Sequence, residues 1–450
     1  MSNISFMSVN NVMSNNIFKQ IFIDYWEIFK KKCNRYNSVY YENVITKMLN
    51  CGELFFGYSL YVCGYCGMTE KKVAFSCKSS FCLSCGKVYT DNWSSHLSEI
   101  LHPGLSYRHV VLTMPEDLHL YFYRSPGLLL SELMELSVIC LDDLLKTVRK
   151  QKLKGGYIVL LQTYGRSGEY NPHLHIIMTD GGVNKKTGRW VDLGYFPYKV
   201  LHKKWQYYLL KMLKEKINTL EVKKIVSLMW KKYKKSGFVA HIDKGSVPRD
   251  CKNLAKYLGK YVVSPPISLR RILNYDGKTV TYWYMSHETE KKEVVTVDVL
   301  TFIGRMVQHI LPKGFKRIRY YGLQATRTFE KLKGVVFRAL KCIGRAVKGF
   351  FRKVNRKSYR ELYREFSGND PFLCSKCGGE MILWEIWHPK YGIIYDELEY
   401  LEKRSKYKDL YDELFKIKRD EHEFQLGASD SGRIRNNGES SVLQLSLPFL

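Results

Sequence analysis

The chain has 450 residues, of which 45% are hydrophobic, enough for a substantial core in two or three domains and too many for wholesale disorder. It carries 72 Lys and Arg against 43 Asp and Glu, a formal net charge of +29, which points to a polyanionic partner. No stretch is long and apolar enough to span a bilayer, so nucleic acid comes before membrane, and "MSNISFMSVNNVMSNN" at the N-terminus lacks the apolar core of a signal peptide.

Residues 17–50 predict one or two amphipathic helices, with Ile17, Ile21, Tyr25 and Ile28 on one stripe. A cysteine-dense segment runs from Cys51 to Cys85. "YRHVVLTM" (107–114) alternates like a strand, and residues 128–150 carry helical periodicity. "YIVLLQT" (157–163) and "HLHIIMTD" (173–180) predict two further strands joined by "YGRSGEYNP", and residues 198–235 a lysine-rich helical stretch. A short strand "GFVAHID", a helix from about Pro248 to Val262, and the strands "TVTYWYM" and "KEVVTVD" follow. Strands and helices interleaved in this way predict an α+β fold: a mostly antiparallel sheet with helices on one face. The last 25 residues, rich in Ser, Gly and Asn, read as a flexible tail.

Twelve cysteines without a secretory signal suggest a reducing compartment, where clustered thiols bind metal rather than form disulfides. "CGYCGMTEKKVAFSCKSSFCLSC" presents Cys63-x2-Cys66 and Cys82-x2-Cys85, two knuckles that predict one structural zinc, with Cys77 as a substitute ligand. Gly64, Gly67 and Gly86 supply the permissive backbone of such turns. A lone knuckle, Cys374-x2-Cys377, stands near the C-terminus, with His388 as its one nearby candidate helper; spacing alone does not argue for metal there.

In a strand, His173 and His175 point to one face while Leu174 and Ile176 point to the other. Two imidazoles at this spacing can chelate one cation. A third ligand would come from a neighbouring element: Gln162 is favoured because a hairpin at "YGRSGEYNP" brings it back toward His173, with His109 and Asp180 as alternatives. Two nitrogens and one oxygen leave positions open for a phosphate oxygen, the Lewis-acid arrangement of phosphodiester chemistry. In "NLAKYLGKYVVSPP", Tyr257 and Tyr261 stand four apart on a helix, so both hydroxyls leave the same face, with Lys256 and Lys260 alongside. A phenol beside a metal-bound phosphate and a lysine can attack phosphorus and form a covalent phosphotyrosine.

Together these stretches resemble a known family. "HLH" is similar to the His-hydrophobe-His motif of HUH single-strand endonucleases, and "YLGKY" to their paired-tyrosine motif. The order "SCKSSFCLSCG", "YRHVVLTMPEDL", "LQTYGRSGEYNPHLHIIMTDGG", "YLGKYVVSPPI", "HILPKGFKRIRYYG" resembles the two-tyrosine transposases of bacterial rolling-circle insertion sequences, over about residues 50–325. The resemblance implies an antiparallel palm like an RNA-recognition motif, with the histidines on a central strand. It implies Mg²⁺ or Mn²⁺ at His173 and His175, and Tyr257 and Tyr261 as nucleophiles, with Lys260 beside them. One departure is Ser80 in "SSFC", where such proteins often carry Arg. The organisation expected is a helical segment (1–50), a zinc-binding domain (51–100), a catalytic domain (105–325), a basic helical region (326–425) holding the lone knuckle, and the tail (426–450).

Residues 331–360 hold eleven Lys or Arg and no acid, with Val335, Val336, Leu340, Ile343, Val347 and Phe350 as an apolar stripe. Arg338, Lys341, Arg345 and Lys348 predict phosphate contacts. "KGFKRIRYYG" interleaves Lys313, Lys316, Arg317 and Arg319 with Phe315, Tyr320 and Tyr321, as single-strand binders combine cations with stacking rings. The function expected is a transposase that nicks and rejoins single-stranded DNA at the element's ends and at its target. With no helicase motif in the chain, unwinding would fall to a host helicase or replication protein. The place expected is the bacterial cytoplasm, at the nucleoid. Two other readings compete: an HUH replication initiator or relaxase, and a zinc-dependent nucleic-acid-binding protein without catalysis.

Overall fold

The computed structural model describes residues 16–86, 93, 100–242, 266–286, 289–344, 358, 360–361, 363–364 and 368–402. Its contacts divide the chain into two compact units, one of Met1–Phe56 and Ala74–Pro371, the other of Gly57–Val73 and Phe372–Leu450. Among the described residues no helix is long and apolar enough to cross a membrane.

The described residues form the strands β1 (Tyr58–Cys63), β2 (Glu70–Ala74), β3 (Tyr107–Leu112), β4 (Leu153–Lys154), β5 (Gly156–Tyr164), β6 (Tyr170–Thr179), β7 (Gly181–Asn184) and β8 (Trp190–Asp192). Then come β9 (Ala240–Ile242), β10 (Ile272–Tyr275), β11 (Thr279–Met285), β12 (Lys292–Asp298), β13 (Ile318–Gly322), β14 (Met381–His388) and β15 (Gly392–Asp396). The larger unit is organised by a five-stranded antiparallel sheet in the order β13-β5-β6-β3-β9, so β6, with both histidines, is its middle strand.

The period-two pattern sorts each strand of this sheet onto two faces. Val110, Leu112, Tyr157, Val159, Leu161, Leu174, Ile176 and Met178 pack into one core with the helices Pro126–Arg149, Tyr198–Lys216 and Leu220–Lys232. Pro126 opens the first of these at the position where a missing N–H costs nothing. The opposite face carries Tyr107, Ile158, Leu160 and Ile177, which pack with the helix Phe329–Lys341. Helices therefore lie on both faces, not on one as the sequence suggests. The cause is the helix Phe329–Lys341 itself, whose apolar side (Phe329, Leu332, Val336, Ala339, Leu340) is buried against the sheet. On the same face, beyond the last apolar side chains, stand His109, Gln162, His173 and His175.

A third core joins the N-terminal helices Ile17–Lys32 and Val39–Leu49 to Phe81, Cys82 and Cys85 and to the helix Val299–Val307. Asp298 caps that last helix, accepting from Leu300 N (2.9 Å) and Thr301 N (3.3 Å), a cap worth about 1 kcal/mol. The smaller unit is a four-stranded sheet, β15-β14-β1-β2, whose strands come from opposite ends of the sequence.

Candidate active site and nucleic-acid groove

The histidine site begins with a proline. In "NPHLH", Pro172 has no N–H to give the ladder. The register shifts here, from Gln162 opposite His173 to Tyr164 opposite Tyr170, so Asn171 and Pro172 together face Thr163. Such a bulge re-aims neighbouring side chains. The carbonyl of Asn171 accepts from Nδ1 of His173 at 2.8 Å, which fixes the ring and puts the lone pair of the neutral imidazole on Nε2.

That lone pair points at Gln162. His173 Nε2 lies 2.8 Å and His175 Nε2 3.0 Å from the same atom, Gln162 Oε1. His175 shares its Nδ1 with Nε2 of His109 at 2.9 Å, so a donating Nδ1–H leaves its Nε2 as a lone pair too. Burial lowers the pKa of both rings, and for His175 the neighbouring His173 and His109 push the same way; the pair stays neutral. Three acceptor atoms at these distances repel one another. A cation among them turns the repulsion into attraction, so the donor set fits a divalent ion. Turning the Gln162 amide instead aims its N–H groups at both imidazoles, the arrangement open to the metal-free protein.

Of the three third-ligand candidates, Gln162 is thus the one that shares a point with both histidines. His109 stands behind His175 and orients it, as partners of metal-binding imidazoles do. Asp180 is engaged elsewhere, accepting from Arg108 Nε at 2.7 Å.

What the sequence reading missed is the clamp on the β5–β6 turn. His309, 3% exposed, donates from Nε2 to Gly168 O (3.0 Å), so its Nδ1 accepts from the Thr163 hydroxyl (3.2 Å), opposite the bulge. Burial takes the ring down to about 3, so it stays neutral. Gln308 Nε2 also donates to Gly168 O (3.2 Å), the Tyr282 hydroxyl donates to Ser167 O (3.0 Å), and Arg305 pairs with Glu169 at 3.5 Å. The turn that carries Gln162 on one limb and His173 on the other is held by side chains 115 to 146 positions away in the sequence.

A groove reaches His309 from outside. Tyr40, Lys47, Lys78, Trp93, Lys316, Arg317 and Tyr320 line it, together with Cys77 and Pro266. Its wall is tied in place by Tyr40 Oη donating to Leu311 O (2.6 Å) and Trp93 Nε1 to Tyr320 Oη (3.2 Å). Cations and rings therefore share one channel, as a single strand requires. Of the predicted DNA contacts, Lys316 and Arg317 are in it, and Lys313 is exposed at the adjoining turn. Arg319 is turned away: it donates to Ser131 Oγ (2.7 Å), pairs with Glu135 (3.4 Å) and lies over the Phe315 ring. On the edge strand β13, Ile318 and Tyr320 line the groove, so Arg319 between them points to the opposite face, while Lys316 and Arg317 precede the strand. Arg338 and Lys341 are exposed on their helix. Arg345, Lys348 and the tyrosine segment with Tyr257, Lys260 and Tyr261 lie outside the described residues. Of the described residues on either side of it, Ile242 pairs with Val110 and Pro266 lines the groove.

The four cysteines grouped by spacing do not gather around one point. Cys82 and Cys85 meet Cys51 and Cys77, and Cys63 and Cys66 meet Cys374 and Cys377; within each group all sulfurs lie within 4.8 Å of one another. In the first group Cys51–Cys85 is 3.5 Å and Cys77–Cys85 3.6 Å. Zn–S bonds of about 2.3 Å in a tetrahedron separate sulfurs by about 3.8 Å, far from the roughly 2.05 Å of a disulfide. Cys77 is thus a full member of the set rather than a substitute, and Cys51, which spacing did not single out, is the fourth.

Comparison with known proteins fits this layout. A transposase zinc-binding domain matches residues 21–114, and a family described as "Putative transposase" matches residues 156–331. The transposase for insertion sequence element IS801 of Pseudomonas savastanoi pv. phaseolicola is 30% identical over 349 residues, 75% of this chain and 82% of its own. The chain belongs to the IS91/IS801 family of insertion-sequence transposases. "Putative transposase y4qJ" of Sinorhizobium fredii (strain NBRC 101917 / NGR234) is 26% identical over 360 residues, 76% of this transposase and 89% of its own length. No solved structure matches. Cys51, Cys77, Cys82 and Cys85 all fall inside the zinc-domain match, while His173, His175, Gln162 and the tyrosine pair fall inside the second.

Proposed function

We propose that this transposase cuts and rejoins single-stranded DNA through covalent 5′-phosphotyrosine links, driving rolling-circle transposition, with the β5-β6-β3 sheet serving as an RNA-recognition-like HUH palm. The observation that carries the reading is the convergence of His173 Nε2 and His175 Nε2 on Gln162 Oε1. Bound there, Mg²⁺ or Mn²⁺ would supply Lewis-acid polarisation of the scissile phosphate. Cys51, Cys77, Cys82 and Cys85 hold a structural zinc, which sets the Cys77–Ser80 wall of the groove.

The strand runs along the groove, its phosphates beside Lys47, Lys316 and Arg317 and its bases against Tyr40 and Tyr320. The phenolic oxygen of Tyr257 or Tyr261 attacks phosphorus as its proton leaves, with Lys260 favouring the phenolate. The P–O3′ bond breaks, the departing oxygen takes up a proton as a free 3′-OH, and the 5′-phosphate stays on the tyrosine. Rejoining is the reverse: a 3′-OH attacks the phosphotyrosine and the phenol is released. The bond energy is kept throughout, so no nucleotide cofactor is required. Two tyrosines allow a second strand to be cut while the first is still held, and four helical residues span only about 6 Å, a small shift for presenting either hydroxyl.

The test is incubation with labelled single-stranded DNA from the element's ends and Mg²⁺, followed by denaturing electrophoresis. Wild type forms an adduct, Tyr257→Phe and Tyr261→Phe each keep some, and the double variant forms none. An undiminished adduct in the double variant would remove both tyrosines from the chemistry.

A further inference from the structure

We infer that Cys63, Cys66, Cys374 and Cys377 bind a second structural zinc, which closes a module built from two ends of the chain. This rests on the smaller unit alone and is independent of the strand-transfer reading.

The two halves are geometric copies. In each, a Cys-x2-Cys turn ends in a glycine with positive φ: Gly67 at +64° and Gly378 at +70°. That conformation is costly for side chains other than glycine. The turns are closed by the same backbone bond, Gly67 N to Cys63 O and Gly378 N to Cys374 O, both 3.0 Å. In both, an amide is aimed at the first sulfur, Cys66 N to Cys63 Sγ and Lys376 N to Cys374 Sγ, both at 3.4 Å. Amides directed at sulfur stabilise thiolates, the form that binds metal. Across the pair, Cys63–Cys377 is 3.5 Å and Cys66–Cys374 3.8 Å, edges suited to a tetrahedron of sulfur around zinc. A Cβ built on Gly379 would fall 2.7 Å from Tyr65 Cβ, 3.3 Å from Cys377 Sγ and 3.4 Å from Cys63 Sγ, so only glycine lets the two turns approach.

The surroundings favour metal over a plain thiol core. Cys63, Cys374 and Met381 are the buried members of a very small apolar cluster, too few to hold two strands together unaided. β1 pairs with β14 from Tyr58↔Trp387 to Cys63↔Met381, so the site sits where this ladder ends and acts as its clasp. The ligand halves lie more than 300 positions apart, Cys66 and Cys374 by 308. Neither family match reaches Cys374 or Cys377.

The experiment uses the full-length protein and needs no variant for its first reading. Elemental analysis should give about two zinc per chain. Under mild alkylation followed by mass spectrometry, Cys342, exposed and in neither cluster, should react at once. Cys377, equally exposed, should resist until a chelator is added. Cys377→Ser should then drop the content to one zinc, and Cys377→His, which retains a ligand, should restore it. In Co²⁺-substituted protein, Cys377→Ser should lose about half of the sulfur-to-metal charge-transfer intensity. One zinc per chain, with Cys377 alkylated as fast as Cys342, would overturn the inference.

Discussion

The histidine site and the cysteine sites are both clusters of metal-binding side chains, yet they are assembled in opposite ways. His173, His175 and Gln162 come from one hairpin, and strand period and register alone bring them together. The cysteine sets draw on pieces up to 34 and more than 300 positions apart, and tertiary folding decides which knuckle meets which. A local site has little freedom once its turn is fixed, so its function depends on fine aim. A non-local site fixes the fold, so its loss is read first in stability. The substitutions below would break or sharpen that contrast.

The largest effect belongs to the histidines. His173→Ala or His175→Ala removes a donor from the cation site and should reduce cleavage on the order of 10³-fold, from the several kcal/mol a Lewis-acid site supplies. Single-strand affinity, measured in parallel, should stay within a few-fold because phosphate contacts dominate it. Cleavage at full rate in EDTA would break this side of the comparison.

Next come the cysteines. Cys85→Ser should lose one zinc, lower the midpoint of thermal unfolding and abolish activity through misfolding, because Cys82 and Cys85 sit within the core that joins the N-terminal helices to Val299–Val307. Cys66→Ser should also lose one zinc while leaving the larger unit's cleavage of short oligonucleotides largely intact. Equal loss of both metals in either variant would mean that the two sets are one.

A smaller effect is expected behind the histidines. His309→Asn keeps one polar contact but cannot bridge Thr163 and Gly168, so Mn²⁺ affinity should fall about 10-fold, the low end of the 10–100-fold seen for orienting partners. Calorimetric titration reads this directly, and unchanged affinity would show that the turn holds its shape unaided. Smallest, Lys47→Gln and Lys316→Gln should each flatten the slope of log affinity against log salt by about 0.7, one single-strand phosphate apiece.

This contrast also explains what could be read in the sequence. The apolar runs in "YIVLLQT" and "HLHIIMTD" are legible as strands because the sheet buries them on both faces, and the hairpin expected at "YGRSGEYNP" brings Gln162 back toward His173. The clamp by His309 was not legible: one histidine in "HILPKGFKRIRYYG" carries no periodic signal, and its partners are backbone and hydroxyl oxygens. The CxxC spacing announces a knuckle but not its mate, so Cys63–Cys66 was joined to the nearest knuckle when its partner was the lone one at Cys374. Cys51 stood alone with no motif around it. The stretch "KRIRYYG" was read by composition as a DNA-binding segment. Composition is silent on strand alternation, which sends Ile318 and Tyr320 to the groove and Arg319 between them to Ser131 and Glu135, while Lys316 and Arg317 lie before the strand begins.

The central claim is that two imidazoles of one strand face a single cation. Pulsed electron paramagnetic resonance on Mn²⁺-loaded protein counts the imidazole nitrogens bound to the ion. Two are predicted in wild type and in His109→Gln, and one in His173→Ala and in His175→Ala. No nitrogen coupling in wild type, or a count indifferent to His173 and His175, would contradict it.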